Sequence, residues 1–497
     1  MRLSKRFIFA FLSFFSVGTL LPGAGPNIVI ILVDDMGYGD LGCYNQDSKI
    51  PTPHIDRLAS EGMRFRDAHA PGPLCHMSRY GLMTGRYPFR IDVGIWPRLP
   101  LIAEGRMTIA SLLKARGYRT SMVGKWHLGF KENGYENPLP GGPIDCGFDT
   151  YFGIRASTDI PPYFYIRDDM AISPPTEFIE QRQSEGWTNI QGEFWREGGI
   201  APGLELKDVL PRFTTEAIEV IEDHARIGGP NKEPLMLYLA YPAPHTPWLP
   251  SPEFVGKSGA SMYGDFLMMV DSEIGRVLSS LDQTEMAEDT MVIFTSDNGP
   301  VWYDSDVERF DHDSSGGLRG MKSDAWEAGH RMPFIVRWPG EVKRGSVSDH
   351  LVCFTDLLAT FADIHDVKLP KAMGPDSFSF LPALKQIKPR KTPIRETFVM
   401  KSGSGGLMTI RSGDWKFIEG QGSGGFSGRL RGSDPLAAKA KVGAAQELKK
   451  SEPEAQLYNL SQDIGETVNL FDDNPEIVSE LRRKMNYIIT SGSSRQL

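Results

Sequence analysis

Short apolar runs, each followed at once by polar residues, recur along the chain and are separated by helix-sized segments. Four such runs cover residues 27–33, 120–123, 235–240 and 291–294. Unbroken aliphatic and β-branched runs are typical of strands buried on both faces of a parallel sheet. Apolar residues recur at helical spacing in segments 56–61, 108–116 and 261–281. The pattern therefore predicts an α/β fold with a mainly parallel central sheet flanked by helices.

Polar side chains that can take part in catalysis or ligand binding follow each of these four runs. They are Asp34 and Asp35, then Lys125 and His127, then His245, and finally Asp297 and Asn298. Ligands bind beyond the carboxyl ends of the strands in open α/β sheets, so we expect these side chains to share one site. Any one cluster, taken alone, is more typical of a turn or a helix cap.

Three carboxylates and one carboxamide of this set suggest a metal site. Asp34, Asp35, Asp297 and Asn298 supply the oxygen ligands that Ca²⁺ and Mg²⁺ prefer. Acids this close raise each other's proton affinity, and a bound divalent cation removes that conflict. The histidines do not pair with cysteines at the spacing of zinc sites, which disfavours zinc.

A cysteine is a second candidate for the chemistry of the site. Cys75 follows the Pro-Gly-Pro loop 71–73 and precedes the predicted first turns of a helix at 78–84. The free backbone N–H groups at such a helix start favour an anion such as sulfate or phosphate. Arg79, one turn further on, is placed to brace the nucleophile or to hold anion oxygens. From these residues alone, a buried free cysteine fits Cys75 equally well.

The composition and the pattern of apolar residues change after residue 385. Short strand candidates at 396–400, 408–410 and 415–418 predict a small antiparallel sheet. Residues 419–455 are rich in Gly, Ser, Ala and Lys, which predicts a long loop that buries little. A last helix is predicted to begin at Asn474 and Pro475. We therefore divide the chain into a domain of residues 26–385 and a C-terminal subdomain of residues 386–497.

Composition and the N-terminus narrow the functional classes. The formal net charge of -9 gives no broad basic field, which argues against nucleic-acid binding. Residues 1–25 combine a basic start with an apolar run at 7–21, which predicts a signal peptide and export to the periplasm or the medium. No later run reaches about 18 apolar residues, so we expect no stable membrane insertion after signal removal.

Several stretches, in one order along almost the whole chain, resemble the formylglycine-dependent sulfatases of the alkaline phosphatase superfamily. The signature-like stretch is Pro-Leu-Cys-His-Met-Ser-Arg-Tyr-Gly-Leu-Met-Thr-Gly at residues 73–85. Further matching stretches lie at 34–40, 124–129, 244–245, 296–299, 318–322, 326–327, 457–460 and 469–470. The resemblance implies an alkaline-phosphatase-like sandwich with a small C-terminal α+β subdomain, and hydrolysis of aryl sulfates or sulfated carbohydrates.

The resemblance also implies a role for each candidate residue. Cys75 would be converted by a maturation enzyme to formylglycine, whose hydrate attacks sulfur while Ca²⁺ is bound by that residue and by Asp34, Asp35, Asp297 and Asn298. His127 would act as the base that releases sulfate. His245 and Lys322 would bind the sulfate and assist protonation of the leaving group, and Lys125 and Arg79 would stabilise the hydrate.

One position departs from the family. Met77 stands where the maturation sequence has Pro or sometimes Ala, two residues after the cysteine. Two alternatives therefore stay open at this point. One is a phosphate- or phosphonate-ester hydrolase on the same scaffold, and the other is a sulfated-glycan-binding protein in which Cys75 remains a thiol. Substrate discrimination is expected from loops 154–199 and 419–455.

Overall fold

The computed structural model describes residues 25–94, 97, 99–227, 233–386, 393–427 and 452–495. Residues 1–24 of the predicted signal peptide lie outside these residues. So do the segment 387–392, next to the predicted domain boundary, and residues 428–451 of the predicted long loop. No helix within the described residues is long and apolar enough to cross a membrane.

A ten-stranded sheet lies at the centre of the described structure. Its strands are β1 (Asn27–Asp34), β2 (Met63–Phe65), β4 (Arg119–Lys125), β5 (Thr150–Ile154), β6 (Ile166–Arg167), β7 (Met170–Ala171), β10 (Leu235–Pro244), β11 (Thr290–Ser296), β12 (Phe334–Arg337) and β13 (Ser346–Ser348). Two small sheets pair β3 (Ala68–His69) with β14 (Val352–Cys353), and β8 (Glu177–Ile179) with β9 (Gly198–Ile200). The strand order of the large sheet is β13-β2-β12-β11-β1-β10-β4-β5-β6-β7.

The middle of this sheet is parallel, as the apolar runs predict. Within the group β11, β1, β10, β4 and β5 every adjacent pair is parallel, and Ile30 of β1 pairs with Tyr238 on one side and Ile293 on the other. Antiparallel pairing begins only outside this group, between β11 and β12 and between β5 and β6. The four predicted strands are therefore direct neighbours whose carboxyl ends meet at one edge.

Helices cover both faces of the sheet. They are α1 (Pro53–Glu61), α2 (Cys75–Thr84), α3 (Ile109–Lys114), α4 (Val209–Arg226), α5 (Ser261–Gln283), α6 (Asp304–Phe310), α7 (Asp356–Ile364), α8 (Leu381–Leu384) and α9 (Pro475–Ser491). Ile28, Ile30 and Leu32 of β1 belong to one core with α2, α3 and α7. Its alternate residues Val29 and Ile31 belong to a second core with α1, α4 and α5. Because both faces of β1 are buried, its sequence is apolar at every position from Ile28 to Val33.

A smaller unit follows the central sheet. Its four strands are β15 (Thr397–Lys401), β16 (Met408–Ser412), β17 (Trp415–Ile418) and β18 (Gln456–Asn459), and each pair is antiparallel. Helix α9 buries Val478, Leu481, Met485 and Ile488 against this unit. We call residues 393–427 and 452–495 the C-terminal layer. The predicted antiparallel sheet is confirmed, whereas the fourth strand, β18, was not predicted.

One sequence interpretation is wrong in part. The composition of residues 419–455 predicts a loop that buries little, yet Ser423 is fully buried and Gly425 is buried too. The reason is that glycine lets one backbone approach another closely. A side chain at position 425 would lie 2.3 Å from the carbonyl oxygen of Ser323.

A buried ionic network joins the C-terminal layer to the segment that contains Glu327 and His330. The Lys416 ammonium of β17 lies 2.9 Å from Glu327 Oε1 and 2.8 Å from Glu466 Oε1. It also lies 3.2 Å from His330 Nε2. All four side chains are buried, and the ammonium compensates the charge of both carboxylates, together with Arg331 in the case of Glu327.

We therefore expect Lys416→Met to destabilise the fold. The substitution keeps most of the side-chain length but leaves Glu466 and Glu327 with one cation fewer, which costs about 3–5 kcal/mol. The free energy of unfolding is measured by urea denaturation. Lys401→Met is the matched control, because Lys401 is the exposed last residue of β15 in the same sheet. Equal stability of the two variants would contradict the importance of this network.

Candidate active site

Residues from four neighbouring strands meet at the carboxyl edge of the parallel sheet. Asp34 is the last residue of β1 and Lys125 is the last residue of β4. Asp297 follows β11 directly, and His245 follows β10 directly. The structure thus brings together the side chains that the sequence predicts to share a site.

Two buried carboxylates at this edge are paired with two buried cations. Arg79 of α2 donates to Asp297 Oδ2 from Nε at 3.0 Å and from Nη2 at 2.8 Å. The Arg79 Nη2 atom also lies 3.6 Å from Asp34 Oδ2, and Lys125 forms an ion pair with the same oxygen. Burial alone would raise the pKa of Asp34, but Lys125 and its neighbours hold that pKa well below the usual range. Asp34 is therefore ionised, although it has no exposed surface.

Asp35 is the centre of a second group of contacts. Lys322 Nζ lies 2.6 Å from Asp35 Oδ1 and 2.8 Å from Oδ2, and Asn298 Nδ2 donates to Oδ1 at 2.7 Å. His245 Nε2 lies 3.6 Å from Oδ2 of the same carboxylate. Asp35 has a φ of 67°, in the left-handed region that Asp tolerates better than most residues. Lys322, which is distant in sequence from the strand ends, is thereby placed in the same site.

Cys75 lies between these two groups as the first residue of α2. Its Sγ atom donates to Asp34 Oδ1 at 3.2 Å and accepts from Lys322 Nζ at 3.4 Å. Burial, together with the charges of Asp297 and Asp34, raises the pKa of the thiol well above its ordinary value. The nucleophilic form of cysteine is the thiolate, so the unmodified side chain is a poor nucleophile in this site.

The His127 imidazole is buried and neutral. Burial and the Lys125 charge hold the pKa of His127 well below its ordinary value. Among the described residues, its Nδ1 atom has no hydrogen-bond partner. The ring of His76 lies 5.7 Å from that of His127, and burial lowers the pKa of His76 to about 4. His76 follows Cys75 directly, yet the sequence predicts no role for it.

A second residue close to the site was also missed. Asp159 Oδ1 lies 3.9 Å from His245 Nδ1, and its other oxygen accepts from Arg196 Nη1 at 2.5 Å. Asp159 follows the carboxyl end of β5, so it reaches the same edge of the sheet as the predicted residues. The sequence signal for this strand was weak, because β5 is short and contains Gly153.

The four predicted metal ligands form a suitable set of oxygen donors. Within the described residues, Asn298 Oδ1 is buried and accepts no hydrogen bond, which leaves it available to a cation. The carboxylates Asp34, Asp35 and Asp297 are matched by three cations, Arg79, Lys125 and Lys322. Ligand atoms of Asp34, Asp35, Cys75 and His245 lie within 4.8 Å of one another. The residues therefore fit a hard divalent cation, which would make the site net positive.

Comparison with known proteins agrees with this geometry. The family model described as Sulfatase matches residues 26–367. The chain is 32% identical to an N-acetylgalactosamine-6-O-sulfatase of Bacteroides thetaiotaomicron over 94% of this chain and 93% of that protein. It is 33% identical to human arylsulfatase A over 92% of this chain and 86% of that protein.

A solved structure gives the same result. It comes from work on the metabolism of multiple glycosaminoglycans by Bacteroides thetaiotaomicron, and it matches with a TM-score of 0.79 and 31% identity. The match covers 94% of this chain and 100% of that one. Fold and site thus define a sulfuric ester hydrolase of the alkaline phosphatase superfamily. Within that superfamily the chain belongs to the sulfatase family.

The metal-binding capacity of the oxygen cluster can be tested with Ca²⁺ alone. We expect Asn298→Ala to weaken Ca²⁺ binding at least about tenfold, because it removes a buried ligand atom that has no other partner. Titration calorimetry on protein treated with a chelator measures the affinity. Asn137→Ala is the control, since Asn137 is exposed and is not one of the predicted ligands. An unchanged affinity in the Asn298 variant would remove it from the ligand set.

Proposed function

We propose that this sulfatase acts through a formylglycine made from Cys75, with Ca²⁺ bound by Asp34, Asp35, Asp297, Asn298 and the modified residue 75. The observation that carries the proposal is the position of Cys75 at the start of α2, between Asp34 and Lys322. A protonated, buried thiol there is a poor nucleophile, whereas a hydrated aldehyde supplies a hydroxyl oxygen. A Ca²⁺ ion bound by these residues would supply Lewis-acid stabilisation of developing negative charge.

The cationic residues of the site hold the reacting groups in place. Lys125 and Arg79 are fixed by Asp34 and Asp297, so their charges face residue 75 without rearrangement. Lys322 Nζ, which lies 3.4 Å from the Cys75 sulfur, binds a sulfate oxygen and stabilises the leaving group. His245 contributes a second donor and delivers a proton to the departing alcohol.

His127 completes the turnover as the base. Its neutral imidazole takes the proton whose removal releases sulfate and regenerates the aldehyde. The substrate is a sulfate ester of a carbohydrate or of an aryl alcohol, the two classes that the names of the similar proteins suggest.

The cellular setting belongs to the same proposal. Residues 1–25 direct export to the periplasm or the medium, and residues 26–385 and 386–497 form the catalytic domain and its C-terminal subdomain. A maturation enzyme that makes formylglycine acts on the segment around Cys75 during export.

The reaction is tested with a pair of substrates that differ in one atom of the ester group. We expect turnover of an aryl sulfate to exceed that of the matching aryl phosphate, and His127→Ala to lower kcat by about 10²–10⁴-fold. Cys75→Ala serves as the inactive reference. Preference for the phosphate would favour a phosphate-ester hydrolase on the same scaffold.

Conversion of Cys75 is tested by mass spectrometry of the tryptic peptide 67–79 from protein made in a host with a maturation enzyme. We expect a fraction of the peptide to carry the aldehyde. Met77→Pro is expected to raise that fraction and to leave the fold intact. The reason is that the first hydrogen bond of α2 is donated by Ser78, so the Met77 N–H can be lost.

Met77→Leu is the matched control, because it retains the departure from the maturation sequence. Equal conversion of the Pro and Leu variants would show that Met77 does not limit maturation. A thiol in every variant would remove the proposed nucleophile and favour a glycan-binding protein without turnover.

A further inference from the structure

The turn that carries Lys322 is tied to both halves of the active site. The backbone N–H of Lys322 donates to Pro300 O at 2.9 Å, two residues after Asn298. The N–H of Ser323 donates to Pro73 O at 2.7 Å, two residues before Cys75. The position of this turn therefore sets the distance from the Lys322 ammonium to Asp35 and to Cys75.

The other side of the same turn is bound by the C-terminal layer. Ala325 N donates to Ser423 O at 2.7 Å, and Gly403 N donates to Ser323 O at 2.9 Å. Two glycine-rich segments, residues 402–406 and 420–427, supply these contacts. A side chain at Gly403 would lie 2.4 Å from Ser323 Oγ and 2.6 Å from Leu74, so the backbones touch without space for one.

A buried carboxylate fastens this contact. Asp324 is fully buried, and its Oδ2 atom accepts from Met321 N at 2.9 Å and from Ser427 Oγ at 2.5 Å. Its Oδ1 atom accepts from Ser427 N at 3.2 Å, and the Ser423 side chain is a further donor to the carboxylate. One carboxylate thus joins the backbone beside Lys322 to the end of the glycine-rich segment 420–427.

We propose that Asp324 is a positioning residue for Lys322, which it holds in place by joining the Lys322 turn to Ser427 of the C-terminal layer. The inference rests on the proposed role of Lys322 as a sulfate-binding residue. It assigns to the C-terminal layer an indirect part in sulfate binding, through the position of Lys322. Asp324 itself touches neither Cys75 nor the proposed ligand atoms in the contacts described.

Asp324→Asn tests this role with almost no change in side-chain volume. Each oxygen of Asp324 accepts from a backbone N–H, so an amide nitrogen in either orientation faces a donor. We expect inorganic sulfate to bind about tenfold to a hundredfold more weakly, because a displacement of about 1 Å has effects of this size. Calorimetry measures the dissociation constant, and Asp265→Asn is the matched control. Asp265 is also buried and accepts from the N–H groups of residues 256–258.

Two substitutions of Ser427 test the same contact with a smaller change to the buried carboxylate. Ser427→Ala removes one donor to Asp324 and is expected to weaken sulfate binding, whereas Ser427→Thr keeps the hydroxyl and is expected to restore it. Ser412→Ala, in β16, removes a hydroxyl that contacts Lys484 and serves as the control for serine removal. Equal sulfate binding by the Ala and Thr variants would overturn the role of the Ser427 contact.

A double-mutant cycle separates positioning from a general loss of structure. In a Lys322→Ala background we expect Asp324→Asn to have no further effect on the sulfate dissociation constant, because the group that it positions is absent. Additive effects, or unchanged binding in the single Asp324 variant, would overturn the proposal. Failure of the proposed function would look different: the chain without substitutions, after conversion of residue 75, would then neither bind sulfate nor turn over aryl sulfates.

Discussion

The active site depends on the mutual compensation of buried charges at the carboxyl ends of four strands. Asp34 and Asp297 have no exposed surface, and a buried carboxylate is tolerated only when cations and donors surround it. Arg79 and Lys125 provide that compensation, and each comes from a different element. Arg79 thereby ties α2, which begins at Cys75, to the end of β11, and Lys125 ties β4 to β1. The same ion pairs that permit burial also orient the groups around Cys75.

This balance explains why the site suits a dication and a sulfate together. The three carboxylates and three cations together have a net formal charge of zero. A divalent cation bound to the free oxygen of Asn298 and to the carboxylates would give the site an excess of positive charge. A sulfate ester carries negative charge on its oxygens, so a bound cation would strengthen its attraction to the site.

Much of the fold and site could be predicted because burial on both faces leaves a continuous apolar sequence. The runs that became β1, β10 and β11 are unambiguous for this reason, and the polar residues after them mark the shared edge. Asp159 could not be found in this way, because β5 is short and contains a glycine. The contact between Ser427 and Asp324 could not be predicted either. Glycine-rich sequence suggests a mobile loop as readily as a close backbone contact, and only the fold distinguishes the two.

The segment from Lys322 to Arg331 links the carboxyl edge of the sheet to the C-terminal layer. Lys322 lies at its start, Asp324 follows two residues later, and Glu327 then contacts Lys416 of β17. A short segment held at both ends by the same layer cannot shift without breaking buried polar contacts, each of which is costly to leave unmade. A substitution that breaks the contacts to this segment would therefore move the Lys322 ammonium away from Asp35 and Cys75.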